Sequence, residues 1–242
     1  MISVRSVYKI YDLADPPITA LQNANLEVTH GEFLAVVGPS GSGKTSLLNL
    51  LGCLDRPSKG VVFLMGENTS LLNDTQMSRL RNHSIGFVFQ MYNLVPELTV
   101  RENVELPLVY AKVTRGRRRA SMEALEQVHL QGRADQPAAL LSGGEQQRAA
   151  IARALVNNPA VILADEPTGN IDRESAAQLL ELFTSLHDRA RTIIMVTHDS
   201  AAALHAQRVV SIEDGRLADG QSMGSGAAGR AVKSPPRVAT GR

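Results

Sequence analysis

The stretch Gly38-Pro39-Ser40-Gly41-Ser42-Gly43-Lys44-Thr45 limits what this chain can fold into more than any other. Its spacing, G-x-x-x-x-G-K-[ST], is that of a phosphate-binding loop. Gly38, Gly41 and Gly43 carry no Cβ, so the backbone can wrap tightly and turn its N–H groups inward. Such a loop needs a strand before it and a helix after it. Phe33-Leu34-Ala35-Val36-Val37 predicts the buried strand, and Ser46-Leu47-Leu48-Asn49-Leu50-Leu51 predicts the helix whose N-terminus faces an anion. Lys44 is then placed for β- and γ-phosphates, and the Thr45 hydroxyl for Mg²⁺. The expected nucleotide contacts of this stretch are Gly38, Ser40, Gly41, Ser42, Gly43, Lys44, Thr45 and Ser46. By itself the loop specifies a nucleoside triphosphate site and does not separate kinases, GTPases, motors and transport ATPases.

Further along, short apolar runs alternate with turns. Val61–Met65 and Gly86–Phe89 predict strands, with Gly66-Glu67-Asn68 a turn and Gln90 at a carboxyl strand end, where open α/β sheets place ligand contacts. From residue 91 to about 150 helical patterns take over: Met122, Leu125 and Val128 recur at three-residue spacing, and the four arginines of Arg115–Arg119 form a solvated face or linker or, alternatively, a contact with a partner or anionic lipid headgroups. Val161–Glu166 predicts an apolar strand ending in two acids. Ala176, Leu179, Leu180, Phe183 and Leu186 predict a core-facing helical stripe, Thr192–His198 a strand ending in histidine, and Val209–Arg216 a last hairpin. Tyr11, in the first strand region, is either a half-buried strand tyrosine or an adenine platform.

Composition excludes several classes. The 242 residues carry a formal net charge of +1 and 4% aromatics, which favours neither nucleic-acid attraction nor a base-stacking surface. Cys53 is the only cysteine, so no internal disulfide is expected. Met1–Arg5 shows no apolar signal segment, and no run approaches the roughly 18 apolar residues that span a bilayer. From Asp219 onward the chain is rich in Gly, Ser, Ala, Pro and Arg, and disorder is expected over residues 219–242.

Four more motifs follow the loop in order: Gln90; Leu141-Ser142-Gly143-Gly144-Glu145; Asp165-Glu166 with Pro167-Thr168-Gly169-Asn170-Ile171-Asp172; and His198. The set resembles the ATP-binding cassette (ABC) ATPases over about residues 1–218. The resemblance implies an α/β phosphate-loop NTPase core with an antiparallel β subdomain and a helical subdomain at about residues 91–150. It assigns Asp165 with Thr45 to Mg²⁺, Glu166 to the general base, His198 to the γ-phosphate and the attacking water, and Gln90 to both metal and water. Tyr11 falls where such proteins stack adenine. Ser142, Gly143 and Gly144 would face the triphosphate held by a second subunit, and Asp172 would close the loop that crosses to it. The implied unit is a head-to-tail homodimer with two ATP molecules at its interface.

Leu51–Pro57, Asn93–Val100 and Leu163–Asn170 are similar to the lipoprotein-releasing and macrolide-exporter ATPase branch, with Ile171 where leucine is usual. The implied partner is a separately encoded transmembrane subunit, and the implied location the cytoplasmic face of the inner or plasma membrane. Met91, Tyr92, Leu94, Val95 and Leu98 are expected to wall the groove that receives it. No nucleic acid is expected. The alternative to transport is an ATP-gated module that signals through a membrane protein to a cell-wall enzyme; importer and soluble repair or translation roles are further rivals.

Overall fold

The structure, a computed structural model, describes residues 1–12 and 15–219. Its centre is a six-stranded sheet built from β3 (Phe33–Val37), β6 (Ile85–Val88), β7 (Val161–Asp165), β8 (Thr192–Thr197), β9 (Arg208–Glu213) and β10 (Arg216–Asp219). The order is β10-β9-β3-β8-β7-β6, all parallel except the β9–β10 hairpin. A parallel sheet covered on both faces needs continuous apolar strands rather than alternating ones, and that is why runs such as Val161–Ala164 are so uniform. Alternate residues go to opposite cores. Phe33, Ala35, Ile162, Ala164, Ile193 and Met195 face one; Leu34, Val36, Val161, Leu163, Ile194 and Val196 face the other.

The second core also receives α1 (Lys44–Leu51) and an antiparallel sheet of order β2-β1-β4-β5: β1 (Ile2–Tyr11), β2 (Ile18–Val28), β4 (Lys59–Leu64) and β5 (Glu67–Asn68). Residues Glu67–Asn68, expected as a turn, pair with β4 as a two-residue strand. The turn itself sits at Met65–Gly66, both with positive φ.

The first core is closed by α3 (Val100–Tyr110), α4 (Arg117–Gln127), α5 (Gly143–Leu155) and α6 (Arg173–Asp188). The arginines Arg117–Arg119 open α4, and Arg119 pairs with Glu123 at the surface. Asn103 is fully buried and binds Val95 through both backbone groups, which pins the loop before α3. Helix α2 (Asp74–Ser84) has no counterpart in the apolar pattern, because Met77 is its only buried large side chain. Its legible signal is the capping box Asn73/Gln76. The short helix α7 (Ser200–Ala203) completes the set. Asp219, expected to begin a disordered tail, pairs with Val210 as the last residue of β10; the rest of that tail lies outside the described residues.

Candidate nucleotide site

The phosphate loop leaves β3 and enters α1, whose helix starts at Lys44, two residues before the apolar run. Two glycines are forced. A Cβ on Gly38 would lie 2.2 Å from the Ile212 carbonyl oxygen, and one on Gly43, at φ 105°, 2.3 Å from that of Ala20. No side chain caps α1 and its first turn carries no acid. Its leading N–H groups therefore favour an external anion. The Ser42 hydroxyl is buried with no hydrogen-bond partner among the described residues. An orphaned hydroxyl beside an uncapped helix end fits a phosphate oxygen.

Lys44 is buried, and its Nζ donates to the Gly38 and Pro39 carbonyls at 2.9 and 2.8 Å. It also lies 3.8 Å from Glu166 Oε1. Parallel pairing of β7 and β8 brings their carboxyl ends level, with Asp165 opposite Val196. The Thr45 hydroxyl stands near the Asp165 carboxyl; burial first, then the adjacent Glu166 charge, push that carboxyl above the ordinary range, while Lys44 and Thr45 oppose. Glu166 stands at φ 45°, sparsely populated for a residue with Cβ, and its N–H donates to the Val196 carbonyl at 2.9 Å. Its other oxygen contacts His198 Nδ1. His198 follows β8 directly and is largely exposed.

Gln90 lies two residues past β6. A Cβ on Gly169 would stand 2.8 Å from its amide nitrogen, so Gln90 packs on the turn that begins at Glu166. The Tyr11 hydroxyl is 3.3 Å from both Ser46 Oγ and Asp55 Oδ2, and Lys9 Nζ sits 4.8 Å from the ring centroid. The ring is thereby tied to the helix that follows the phosphate loop. Lys9 is itself paired with Asp55 at 2.6 Å, which holds it there.

The structure thus gathers Gly38 to Ser46, Asp165, Glu166 and His198, with Gln90 and Tyr11 at the margins. It does not bring Ser142, Gly143, Gly144 or Asp172 to them. Ser142 caps α5 in a capping box with Glu145, and Asp172 caps α6 through Ser175. No hydrogen bond or ion pair joins any of the four to the phosphate loop among the described residues.

The segment expected to wall a partner groove divides between inward and outward side chains. Leu94 packs inward, the Tyr92 hydroxyl donates to the Asn170 carbonyl, and Met91 and Val95 are exposed. A separate groove of about 880 Å³ lies between α2, β6, α3 and α5, and Asn93 is the one residue of the 91–98 segment in its lining. Its apolar surface comes from Phe87, Phe89, Pro107 and Tyr110, rimmed by Arg79 and Lys112. Phe87 and Phe89 read from the sequence as buried strand residues; both are half-buried, their rings stack at 5.3 Å, and Phe87 also packs on the second core. Gln147 was also missed. It is fully buried on α5 and donates to the Pro167 carbonyl at 2.9 Å.

An uncapped helix behind a glycine loop, at the carboxyl edge of a parallel sheet, defines a phosphate-loop nucleotide-binding fold. Residues 21–169 match the family described as ABC transporter. A Thermotoga maritima ABC transporter ATP-binding protein is 50% identical over 212 residues, 87% of this chain and 91% of its own length. MJ0796 of Methanocaldococcus jannaschii is 43% identical over 223 residues, 90% of this chain and 95% of its own. Its dimeric ATP-binding cassette, solved in a post-hydrolysis state bound to ADP and Pi, superposes with a TM-score of 0.83 at 40% identity, covering 90% of this chain and 98% of that one. The macrolide export ATP-binding/permease protein MacB of Escherichia coli is 42% identical over 218 residues, but this chain spans only 34% of it. The chain belongs to the ABC transporter family, as an ATP-binding protein. ATP hydrolysis is general to that family. Among the described residues no helix is long and apolar enough to cross a membrane.

Proposed function

We propose that this chain is the ATP-hydrolysing subunit of a transporter whose membrane-spanning subunit is encoded separately, in export or lipoprotein release. Residues 1–218 form the nucleotide-binding unit, with about residues 91–150 as its helical arm. The observation that carries the reading is the meeting of Lys44, Glu166 and His198 at one strand edge, with Thr45 on Asp165 beside them.

ATP is the substrate. Lys44 exchanges its loop carbonyls for phosphate oxygens, and the α1 N–H groups orient the anion. Glu166 accepts the proton of the attacking water, and His198, in contact with its carboxylate, fixes that carboxylate's direction. Gln90 and Ser46 border the same space, and Tyr11 offers a ring face to adenine. Thr45, Asp165 and Gln90 would hold Mg²⁺, which neutralises phosphate charge. Among the described residues no cluster of three or more His, Cys, Asp or Glu offers an all-protein cage, and Mg²⁺ usually takes one or two carboxylates plus phosphate oxygens. The donor set fits it. Ser142, Gly143, Gly144 and Asp172 complete the site of a second copy.

The test is Glu166→Gln. Loss of a general base costs about 10²- to 10⁴-fold in kcat, while ATP binding persists and the chain dimerises with ATP. Unchanged turnover would falsify the role of Glu166.

The membrane partner docks in the groove between α2 and α3, which holds the chain at the cytoplasmic face of the membrane. Phe87, Phe89, Pro107 and Tyr110 suit the apolar side of a short helix, and Arg79 and Lys112 suit acids on its flank. Tyr110 is 76% exposed there. Tyr110→Glu should weaken co-purification with the membrane subunit by about tenfold or more, as for an aromatic anchor. Undiminished recovery would remove the groove from the reading.

A further inference from the structure

Three segments with different duties meet at one side chain. Gln90 lies on the first, the segment that follows β6. Gly169, Asn170 and Ile171 lie on the second, the crossing loop before α6. Gly143 lies on the third, the tip of α5. Tyr92 links the first two and lies beside the third. Its backbone belongs to the first segment. Its hydroxyl donates to the Asn170 carbonyl at 2.9 Å. A Cβ on Gly143 would stand 3.0 Å from the Tyr92 hydroxyl oxygen.

The connection runs both ways. The Asn170 side-chain amide donates to the Gln90 carbonyl at 3.2 Å and reaches Met91 Sδ at 3.1 Å. One side chain therefore crosses from each segment to the other's backbone. The backbone that carries Tyr92 is held in an unfavourable form. Tyr92 and Asn93 have φ of 59° and 51°. A tyrosine in that region is strained, so something must hold it. Arg153, near the end of α5, does. Its Nη2 donates to the Tyr92 carbonyl at 2.6 Å, and its Nη1 contacts the Asn93 carbonyl. Among the described residues Arg153 forms no ion pair; burial without a carboxylate lowers its pKa. Its guanidinium spends its fork on two carbonyls of one bend, a use that lysine cannot copy. Burial also pushes the Tyr92 phenol up, so it stays a donor at neutral pH.

We infer that Tyr92, set by Arg153, is a positioning residue of the ATPase reaction: it locks the Gln90 segment to the crossing loop and to the α5 tip within one subunit. This rests on the ATPase reading above. Gln90 packs on the Glu166–Gly169 turn through its amide. A slack Gln90 segment would let that amide drift from the turn that carries the base. The lock also ties a residue of this chain's own site to the helix tip assigned to the other copy's site.

The test compares steady-state hydrolysis, binding of a fluorescent ATP analogue, and thermal stability in the full-length chain. Tyr92→Phe keeps the ring and removes only the hydroxyl. It should lower kcat roughly three- to fivefold, the size of one partly exposed hydrogen bond, with KM, analogue affinity and Tm unchanged. Arg153→Lys keeps the charge and loses the fork, and should show the same split between kcat and KM. Asn170→Ala cuts the reciprocal bond; combined with Tyr92→Phe it should add little, since both serve one junction. A wild-type chain that neither binds nor hydrolyses ATP overturns the ATPase reading itself. A competent wild type beside a Tyr92→Phe chain of equal kcat overturns the lock alone. So does a fall in kcat matched by weaker binding or lower Tm, or full additivity with Asn170→Ala.

Discussion

Two helix N-termini in this chain meet the same requirement in opposite ways. The tip of α1 has Gly43 at its cap, no side-chain acceptor and no acid in its first turn. The tip of α5 has Ser142 accepting from the Glu145 N–H at 3.3 Å and the Glu145 carboxylate accepting from the Ser142 N–H at 2.9 Å. Both tips are built from small residues. Only the first leaves its positive end unanswered by its own chain. The second is internally satisfied and already carries a carboxylate, which its neighbours pull below the ordinary range: first the Ser142 N–H, then the Ser142 hydroxyl and Arg133. The difference indicates which tip can hold a triphosphate within one subunit. In the proposed function, the tip of α1 supplies local binding, and that of α5 adds to an anion that a second copy brings to it.

That contrast breaks most sharply under a pair of substitutions. Lys44→Ala removes a buried ammonium from the first tip. A charge-assisted hydrogen bond is worth about 1.5–3 kcal/mol, so ATP affinity of the single subunit should fall on the order of tenfold to a hundredfold. Ser142→Asp acts on the second tip. Aspartate is as good a cap as serine, so Tm and single-subunit ATP affinity should hold. The added charge would face the partner's triphosphate, and a like-charge contact costs several kcal/mol. ATP-driven dimerisation, read by size-exclusion chromatography in a Glu166→Gln background, should disappear. If Ser142→Asp weakens binding by the single subunit instead, the two tips are not divided in this way.

The same contrast explains what was legible in the sequence. A tip that works alone needs a contiguous signature, and Gly38 to Ser46 carries it, with β3 before and α1 after. The strand-end acids and His198 were legible because a parallel sheet places consecutive carboxyl ends on one edge. Helix α2 was not, since it buries only Met77 among large apolar side chains and is held by caps. The division within residues 91–98 was illegible for a related reason. They look apolar throughout, but Leu94 packs on the core while Asn103 holds the Val95 backbone and leaves its side chain exposed. Phe87, on β6, and Phe89, just past it, belong to a run that looks wholly buried, yet both rings are half-buried and stack where they line the groove. Pairing by packing leaves no periodic trace. Tyr92, Asn170 and Arg153 are of that kind, since their junction joins residues 61 and 78 positions apart.

The smallest expected effect concerns the shared margin of the first tip. Asp165 sits where burial and Glu166 raise its carboxyl pKa, despite help from Thr45 and Lys44. A carboxylate whose folded pKa exceeds its unfolded one binds protons better in the folded state. It therefore weakens folding once pH passes the unfolded value near 3.9, and the penalty reaches its full size above the folded pKa. Asp165→Asn removes the charge and keeps the shape. In the absence of nucleotide and Mg²⁺, its Tm should exceed that of the wild type at neutral pH, and the gain should shrink towards zero as pH falls below about 4. Near-neutral thermal melts that place the variant at or below the wild type would show that the Thr45 and Lys44 contacts already outweigh the burial of Asp165. The strained edge of the α1 site would then contribute to folding rather than oppose it, and the division between a tip held ready for an anion and a tip already satisfied would rest on capping alone.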